Sequence, residues 1–491
     1  MAKSVVFMTG ATGVMGSQTL KEFCKRLDRF EVRLLVRRSK RNLKKMKPYI
    51  NIKGVTIVWG DMMNPADIRS AMGEADYVLH IGGMVSPLAD HYPEKTMKVN
   101  PGSIRIIIDE IKKREDKDDV RLAYIGSVAE ISCRAEPHHW GRTGDPVIAA
   151  PYDYYAVSKI LAELEVAESG LKHWVVLRQS GILDKGLLNK ASDPISFHVP
   201  LRGVLEWATV EDSGRLMANM CEKSVPEEFW NKFYNIGSGK EFRLSNYKFE
   251  QLLMKALKCP PPEKVFEPGW FATRNFHGMW YTDSDRLEEI LHFREHITAE
   301  AYFSRMAKSL PWYISLAPLA PAFIVKMGMK AVARKKDGGT LHWLSSPYDE
   351  KNARKIKAYF GSLEAAVGIG SWKDQDLSEP SYEPILLDHG YDETKPEQEL
   401  GLTDMRKAAE FRGGQCLSEY MPQGDLDTPL EWECCEGHRF RLRARSVLKG
   451  GHWCPQCLPA PWRYDREAKR NRFLAQVWYD THSEDEDETY E

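Results

Sequence analysis

Three groups of residues in this chain have the types and spacing that chemistry needs. The first is Tyr155-Ala156-Val157-Ser158-Lys159, which sets a phenol and an ammonium one helical turn apart on the same face. A tyrosine with its ordinary pKa near ~10 is a poor proton shuttle at neutral pH, but a neighbouring cation favours the phenolate and brings it into range. Tyr155 would then deliver or remove the proton on a substrate oxygen while a hydride moves at the adjoining carbon. Tyr-x-x-x-Lys alone is a weak signal, because Tyr49 with Lys53 and Tyr391 with Lys395 match it too. Context selects Tyr155, which follows a strand end carrying a serine, Ile125-Gly126-Ser127. Ser127 would hydrogen-bond the reacting oxygen and polarise it. The structural alternative is a serine that caps a strand and a tyrosine that packs.

The second group is Thr9-Gly10-Ala11-Thr12-Gly13-Val14-Met15-Gly16, directly after the first apolar run. A strand that turns sharply into a helix can aim the first helical amides at a pyrophosphate, and side chains at the turn would hold the phosphates away. Glycines at 10, 13 and 16 remove that obstruction, so a dinucleotide is expected here. At the end of the second strand the chain reads Leu35-Val36-Arg37-Arg38, with no acid to bind ribose hydroxyls. Guanidinium groups at Arg37 and Arg38 suit a 2′-phosphate, so NADP(H) is the expected cofactor and NAD the alternative. A solvated basic surface running on through Lys40, Arg41, Lys44 and Lys45 is the competing reading. Gly60-Asp61-Met62 closes the third strand, where Asp61 would accept from an adenine amino group.

The third group lies near the C-terminus, where Cys434 and His438 precede Cys454-Pro455-Gln456-Cys457. Two close pairs of soft ligands, joined by a chain expected to fold back as a hairpin, can close a tetrahedron around zinc. With four protein ligands the metal would be structural, folding a small domain that has little core. Cys435 sits beside Cys434, and Cys416 or His452 are substitutes; packing without metal is the alternative. The segments Gly413–Ser418, Trp432–His438 and Trp453–Cys457 resemble treble-clef-like zinc-ribbon repeats, whose ligands map onto Cys434, His438, Cys454 and Cys457. Arg439, Arg441, Arg443 and Arg445 alternate with apolar residues and would form one arginine face of a strand. That face would bind nucleic acid, or be solvated, or pair with the acidic tail 484–491, which reads as disordered.

These residues need a frame to hold them. Apolar, β-branched runs at 5–8, 32–36, 55–59, 77–81, 122–125 and 174–177 alternate with helical stretches such as 14–27 and 103–113. Continuous rather than alternating hydrophobicity implies strands buried on both faces, hence an α/β, Rossmann-like, doubly wound parallel sheet. A short strand at 233–236 and helices at 245–257 and 283–291 would form a small substrate-capping region. The expected division is 1–300 for the catalytic domain (core 1–180, substrate region 181–300), then 301–400 as a helical extension and linker. A small zinc-binding α+β module follows at 401–465, and 466–491 forms a C-terminal helix and acidic tail. The linker proper is the Pro/Glu/Asp-containing run 374–398, and no chemistry is read in 301–400.

At 491 residues the chain exceeds one core, and its net charge of -1 gives no global field that steers it to nucleic acid or membrane. Nine cysteines, four of them scattered, suit a reducing compartment. The start runs straight into a strand, so no signal peptide is read and a cytoplasmic location is expected. The longest apolar run, 310–325, contains Pro311, Pro318 and Pro321 and is shorter than the ~20 residues of a spanning helix. It reads as packing rather than a transmembrane segment, with a monotopic lipid contact as the alternative.

Over residues 4–300 these motifs resemble the extended short-chain dehydrogenase/reductase family, also called the NAD-dependent epimerase/dehydratase family. The resemblance implies that Thr9, Gly10, Thr12, Gly13, Val14, Met15 and Gly16 bind cofactor, with Arg37, Arg38, Asp61 and Met62. His80-Ile81-Gly82-Gly83 resembles the family's His-x-Ala-Ala, adding Ile81, Gly82 and Gly83 to the cofactor set. Leu177-Arg178-Gln179 resembles its Leu-Arg-x, adding Gln179 beside Tyr155 and Lys159. Ser127, Tyr155 and Lys159 map onto the catalytic triad, and Asn100 of Val99-Asn100 onto a proton-relay asparagine, although Pro101 alters the start of that helix. Val210-Glu211-Asp212 and Asn235-Ile236-Gly237 match further segments. Met84, Val85, Ser86, Ser180 and Gly181 should line the substrate pocket, whose apolar character favours a small carbonyl or alcohol compound. The expected activity is an NADP(H)-dependent oxidoreductase. The alternatives are a nucleotide-sugar epimerase/dehydratase, and a cofactor-sensing regulator whose zinc module binds nucleic acid or protein. Relatives of this kind are often homodimers through helices next to the catalytic one.

Overall fold

In the computed structural model, which describes residues 2–86, 88–187, 193–310 and 321–491, the apolar runs become a seven-stranded sheet. Its strands are β1 (Ser4–Thr9), β2 (Phe30–Val36), β3 (Val55–Trp59), β4 (Tyr77–His80), β5 (Arg121–Ser127), β6 (His173–Gln179) and β7 (Lys232–Ile236). All pair in parallel in the order β7-β6-β5-β4-β1-β2-β3. Successive side chains of a strand point to opposite faces, and both faces are covered. Val6, Met8, Leu34, Leu79 and Leu177 meet Leu20 and Phe23 of α1 (Val14–Cys24). Phe7, Leu35, Val78, Leu122 and Val176 meet Ile104, Ile107 and Ile111 of α2 (Pro93–Lys112) and Ala162 and Val166 of α3 (Tyr154–Ala167). Each such Val, Leu, Ile or Phe contributes about 1.5–3 kcal/mol on burial. The strand order reverses between β1 and β4, so a crevice opens there at the carboxyl ends.

The helix expected at 103–113 with Pro101 near its start begins instead at Pro93, and Pro101 lies inside it. An interior proline forfeits a backbone hydrogen bond and ordinarily costs about 3 kcal/mol. Burial of Ile104, Ile107, Ile108 and Ile111 on the same helix offsets that cost.

The region 301–400 does more than connect. Helix α5 (Ala322–Ala333) packs Val325 and Met329 against Phe197, Met254, Phe266 and Phe271, so it shares a core with the substrate region and with α4 (Asn246–Ala256). Residues 311–320 of the longest apolar run lie outside the described residues; beyond them Phe323, Ile324 and Met327 of α5 are exposed. Among the described residues no helix is long and apolar enough to cross a membrane. The run 374–398 is a strap rather than a free linker. Leu387, His389 and Tyr391 are buried in it, and His389 Nε2 bonds Asp145 Oδ1 at 2.8 Å.

At the C-terminus β8 (Gln415–Cys416), β9 (Pro429–Glu433) and β10 (Arg439–Arg443) form an antiparallel sheet in that order. The hairpin is β9–β10, not the chain between the two ligand pairs, which continues from β10 into a short helix, Ala444–Leu448. This module is not a separate body. Leu430, Trp432, Leu442, Val447 and Leu448 lie in one hydrophobic cluster with Ala156, Val157, Ile160 and Leu164 of α3. At the contact, Gly451 has φ +77, and a Cβ there would stand 1.9 Å from the Asp145 carbonyl oxygen, so only glycine admits the approach. The acidic tail is likewise ordered: Trp462 and Tyr490 exchange backbone hydrogen bonds of 2.9 Å, and Glu486 pairs with Arg274 at 2.8 Å.

Candidate active site and metal site

A cavity of about 1460 Å³ opens at the carboxyl ends of β1, β4, β5 and β6. One end is the glycine turn between β1 and α1. Gly10 has φ +77 and its added Cβ would lie 2.6 Å from Gly82 N, while a Cβ on Gly16 would lie 2.2 Å from Gly10 O. These two glycines are demanded by the protein's own packing. Gly13 differs, since a Cβ there meets only Gly10 O, at 3.2 Å. Gly13 is also the N-cap of α1 and supplies no side-chain acceptor, and the first turn of α1 carries no acid. The first amides of α1 therefore lack a side-chain partner and face a surface cleared of side chains, which fits an anionic pyrophosphate. Thr9 closes the turn from below: its Oγ1 bonds His80 Nδ1 at 2.9 Å and accepts from Gly82 N at 3.0 Å.

The other wall carries Ser127, Tyr155 and Lys159. Ser127 ends β5 and caps a single 3-10 turn, accepting from Ala129 N at 3.2 Å while Glu130 accepts from Ser127 N at 2.6 Å. The capping reading is thus correct, and it leaves the Ser127 hydroxyl proton free to donate. Tyr155 and Ser127 line the same wall. Burial pushes the Tyr155 phenol above its ordinary pKa, and the nearby Ser127 hydroxyl only partly offsets it. The expected acidifying partner does not act that way here: the Lys159 ammonium donates to Ile125 O and lies 4.4 Å from the centre of the Tyr124 ring. Burial lowers Lys159 to about 8, against the pull of Glu130 and Glu163.

Behind Lys159 lies a fully buried charge network. Arg178 Nη2 donates to Glu163 at 2.6 Å and to Gly450 O at 2.5 Å, and His452 Nε2 bonds Glu163 at 2.7 Å. Glu130 and Glu163 are neighbours in this network, so the charge on one opposes the charge on the other. Burial and the Glu163 charge raise Glu130 well above the carboxylate range; burial works the same way on Glu163, but Arg178 and His452 outweigh it and hold Glu163 ionised.

The cavity also brings together Thr12, Val14, Met15, Arg37, Asp61, Met62, Ile81, Gly83 and Gln179 of the expected cofactor set, and Met84, Val85, Ser86, Ser180 and Gly181 of the expected substrate set. Two residues fall elsewhere. Arg38 is exposed off the cavity, while Ser39, Arg41 and Asn42, around the start of the next helix, Lys40–Met46, line it instead. Asn100 is buried behind the wall, its amide spent on Met84 N (2.8 Å), Met84 O (3.0 Å) and Ser158 Oγ (2.9 Å). It braces the Met84 loop against α3. Glu130 and Glu163 were overlooked, although Ser127-x-x-Glu130 is a capping-box spacing and Glu163 stands four residues after Lys159. No local signal announces His452.

In the C-terminal module the ligand atoms of Cys434, His438, Cys454 and Cys457 lie within 4.8 Å of one another. His438 Nδ1 is 3.3 Å from Cys457 Sγ and 3.6 Å from Cys454 Sγ, and Cys434 Sγ is 3.9 Å from Cys457 Sγ. Cys435 and Cys416 are outside the cluster, and His452 is committed to Glu163. The arginine face is mostly spent within the chain, and not on the tail. Arg439 pairs with Glu433 (2.9 Å), Arg443 with Glu168 (3.7 Å) and Arg445 with Asp427 (2.8 Å).

Residues 6–179 match the family model of the NAD dependent epimerase/dehydratase family. No curated protein is significantly similar to the chain. Among solved structures, dTDP-glucose 4,6-dehydratase from Bacillus anthracis str. Ames in complex with NAD aligns with a TM-score of 0.50 at 14% identity, over 63% of this chain and 96% of that one. UDP-glucose 4-epimerase from Bifidobacterium longum in complex with NAD+ and UDP aligns with a TM-score of 0.47 at 16% identity, over 62% and 97%. The first of these shows that the parallel-sheet fold is shared.

The glycine turn makes a test that separates cradle from packing. Gly13→Ala is expected to lower the melting temperature less than Gly16→Ala and to weaken NADH or NADPH binding tenfold or more, read by nucleotide fluorescence. Gly16→Ala is expected to lower the melting temperature itself.

Proposed function

We propose that this protein is an NADP(H)-dependent oxidoreductase acting on an apolar carbonyl or alcohol compound, with Tyr155 as general acid. The observation that carries this reading is the convergence of Ser127, Tyr155 and Lys159 on the same cavity as the glycine cradle. The bound dinucleotide would supply or accept the hydride. Gly10, Gly13, Gly16 and the amides of α1 would hold its pyrophosphate, and Arg37 with Arg41 would receive a 2′-phosphate. Ser127 donates its hydroxyl proton to the substrate oxygen and polarises it. Tyr155, kept as a neutral phenol by burial, gives that oxygen its proton in the reductive direction. Lys159, its ammonium held on Ile125 O in the same wall, would lend positive charge to the site at longer range as the phenolate develops. The substrate arm supports an apolar compound: Phe197, Leu205, Trp207, Leu244, Phe249 and Leu253 line it.

A nucleotide-sugar epimerase or dehydratase is the second reading, favoured by the family match over residues 6–179. Turnover of UDP- or dTDP-glucose with no net consumption of nicotinamide would establish it in place of the first. No observation favours a nucleic-acid-binding regulator, given the internal pairing of the arginines. For the Cys/His cluster we propose structural zinc, with all four ligands from protein and no open position.

Tyr155→Phe is expected to reduce turnover by about 10²–10⁴-fold while nucleotide affinity is unchanged; unchanged turnover would remove Tyr155 from the mechanism. A lysine is cationic below its pKa, so the rate should fall as pH rises through about 8. Glu163→Gln removes a charge that holds this pKa up, and the alkaline limb should move to lower pH. Zinc measured by elemental mass spectrometry should be about one per chain, lost in Cys434→Ser together with thermal stability and retained in Cys435→Ser.

A further inference from the structure

One buried carboxyl in the cavity takes no part in the chemistry above. Glu250 lies on α4, is 8% exposed and lines the substrate arm. It has no hydrogen bond or ion pair with any described residue. The arm of the cavity that it lines is largely apolar: Phe249, stacked on Trp207 with ring centres 4.6 Å apart, Leu253 and Met254 on its own helix, and Met329 from α5 line it too. Burial alone pushes its carboxyl up to about 7, with no neighbouring charge to compensate.

A chain does not gain stability from a lone carboxyl in such a place. Buried polar groups are almost always hydrogen-bonded, and an unpaired one is retained where it serves a ligand. A helix that needed only to cover the cavity would carry a leucine at this position. The cavity's catalytic wall already recognises the reacting oxygen through Ser127 and Tyr155, so Glu250 is available to a different atom of the same ligand.

We propose that Glu250 is a specificity residue that accepts a hydrogen bond from a donor group, a hydroxyl or an amine, carried by the otherwise apolar substrate away from its reacting carbon. The substrate class is thus narrowed to bifunctional apolar compounds: a carbonyl or alcohol at the catalytic end, a hydrocarbon body against Trp207, Phe249 and Leu253, and a second polar head. This rests on the reading of the cavity as the site of an apolar carbonyl or alcohol. The donor recognises the carboxyl in either protonation state, because one carboxyl oxygen always remains an acceptor.

The test uses the full-length protein with NADPH present and reads displacement of Nile red by straight-chain alcohols, α,ω-diols and ω-amino alcohols with backbones from hexane to tetradecane. In the wild type, at the chain length that spans the two sites, the diol or amino alcohol should bind at least tenfold more tightly than the plain alcohol. Preference for the amino alcohol over the diol identifies a cationic head, and the reverse a hydroxyl. Glu250→Leu should erase that preference, leave plain alcohol binding as strong or stronger, and raise the melting temperature. Glu250→Gln should keep a preference for the diol. Equal binding of alcohol and diol at every length, or a lowered melting temperature in Glu250→Leu, overturns the proposal. Failure of plain alcohols themselves to displace the dye overturns the underlying reading of the cavity instead.

Discussion

The ionised Glu163 is the hinge of this structure. It sits on α3 one turn beyond Lys159, and it is reached from three directions: Arg178 from the end of β6, Glu130 from the turn after β5, and His452 from the C-terminal module. A buried carboxylate is expensive to desolvate and is kept only where partners satisfy it. Here those partners come from parts of the chain far apart in sequence, so satisfying one charge fixes their mutual positions. Helix α3, the serine-bearing strand end and the Cys/His module are thereby set on one point.

The same network explains why the C-terminal region is not an independent appendage. Gly450 accepts from Arg178, Gly451 passes within contact of Asp145, and His452 completes the Glu163 shell. Zinc-type ligands at Cys454 and Cys457 begin two residues later, so a closed metal site would hold this stretch rigid where it meets the charge cluster. What looks in sequence like a module tethered by a linker is in space a brace for the catalytic helix. The strap through His389 and the tail through Glu486 add further closures around it.

Within the cavity, two kinds of constraint can be separated. Gly10 and Gly16 are required by the backbone's approach to itself, whatever ligand binds. Gly13, the uncapped start of α1 and the unpaired Glu250 are instead features that the protein's own stability does not call for. A site is most informative where local structure departs from what stability alone would select.

The sequence by itself determined the parallel sheet, the glycine turn, the Ser127, Tyr155 and Lys159 wall and the four-residue Cys/His cluster. Each is encoded by neighbours within a few residues: β-branched runs for buried strands, three spaced glycines for a turn, a helical i,i+4 pair for the phenol and ammonium, and paired Cys/His for a tetrahedron. Only the tertiary structure decided that Arg41 rather than Arg38 enters the cavity, that Asn100 is a brace, that α5 belongs to the pocket and that the tail is ordered. It also decided that Lys159 bonds Ile125 O instead of acidifying Tyr155. These outcomes depend on which distant segments share a dielectric and a hydrogen-bond partner, and burial of that kind leaves no periodic trace in the chain.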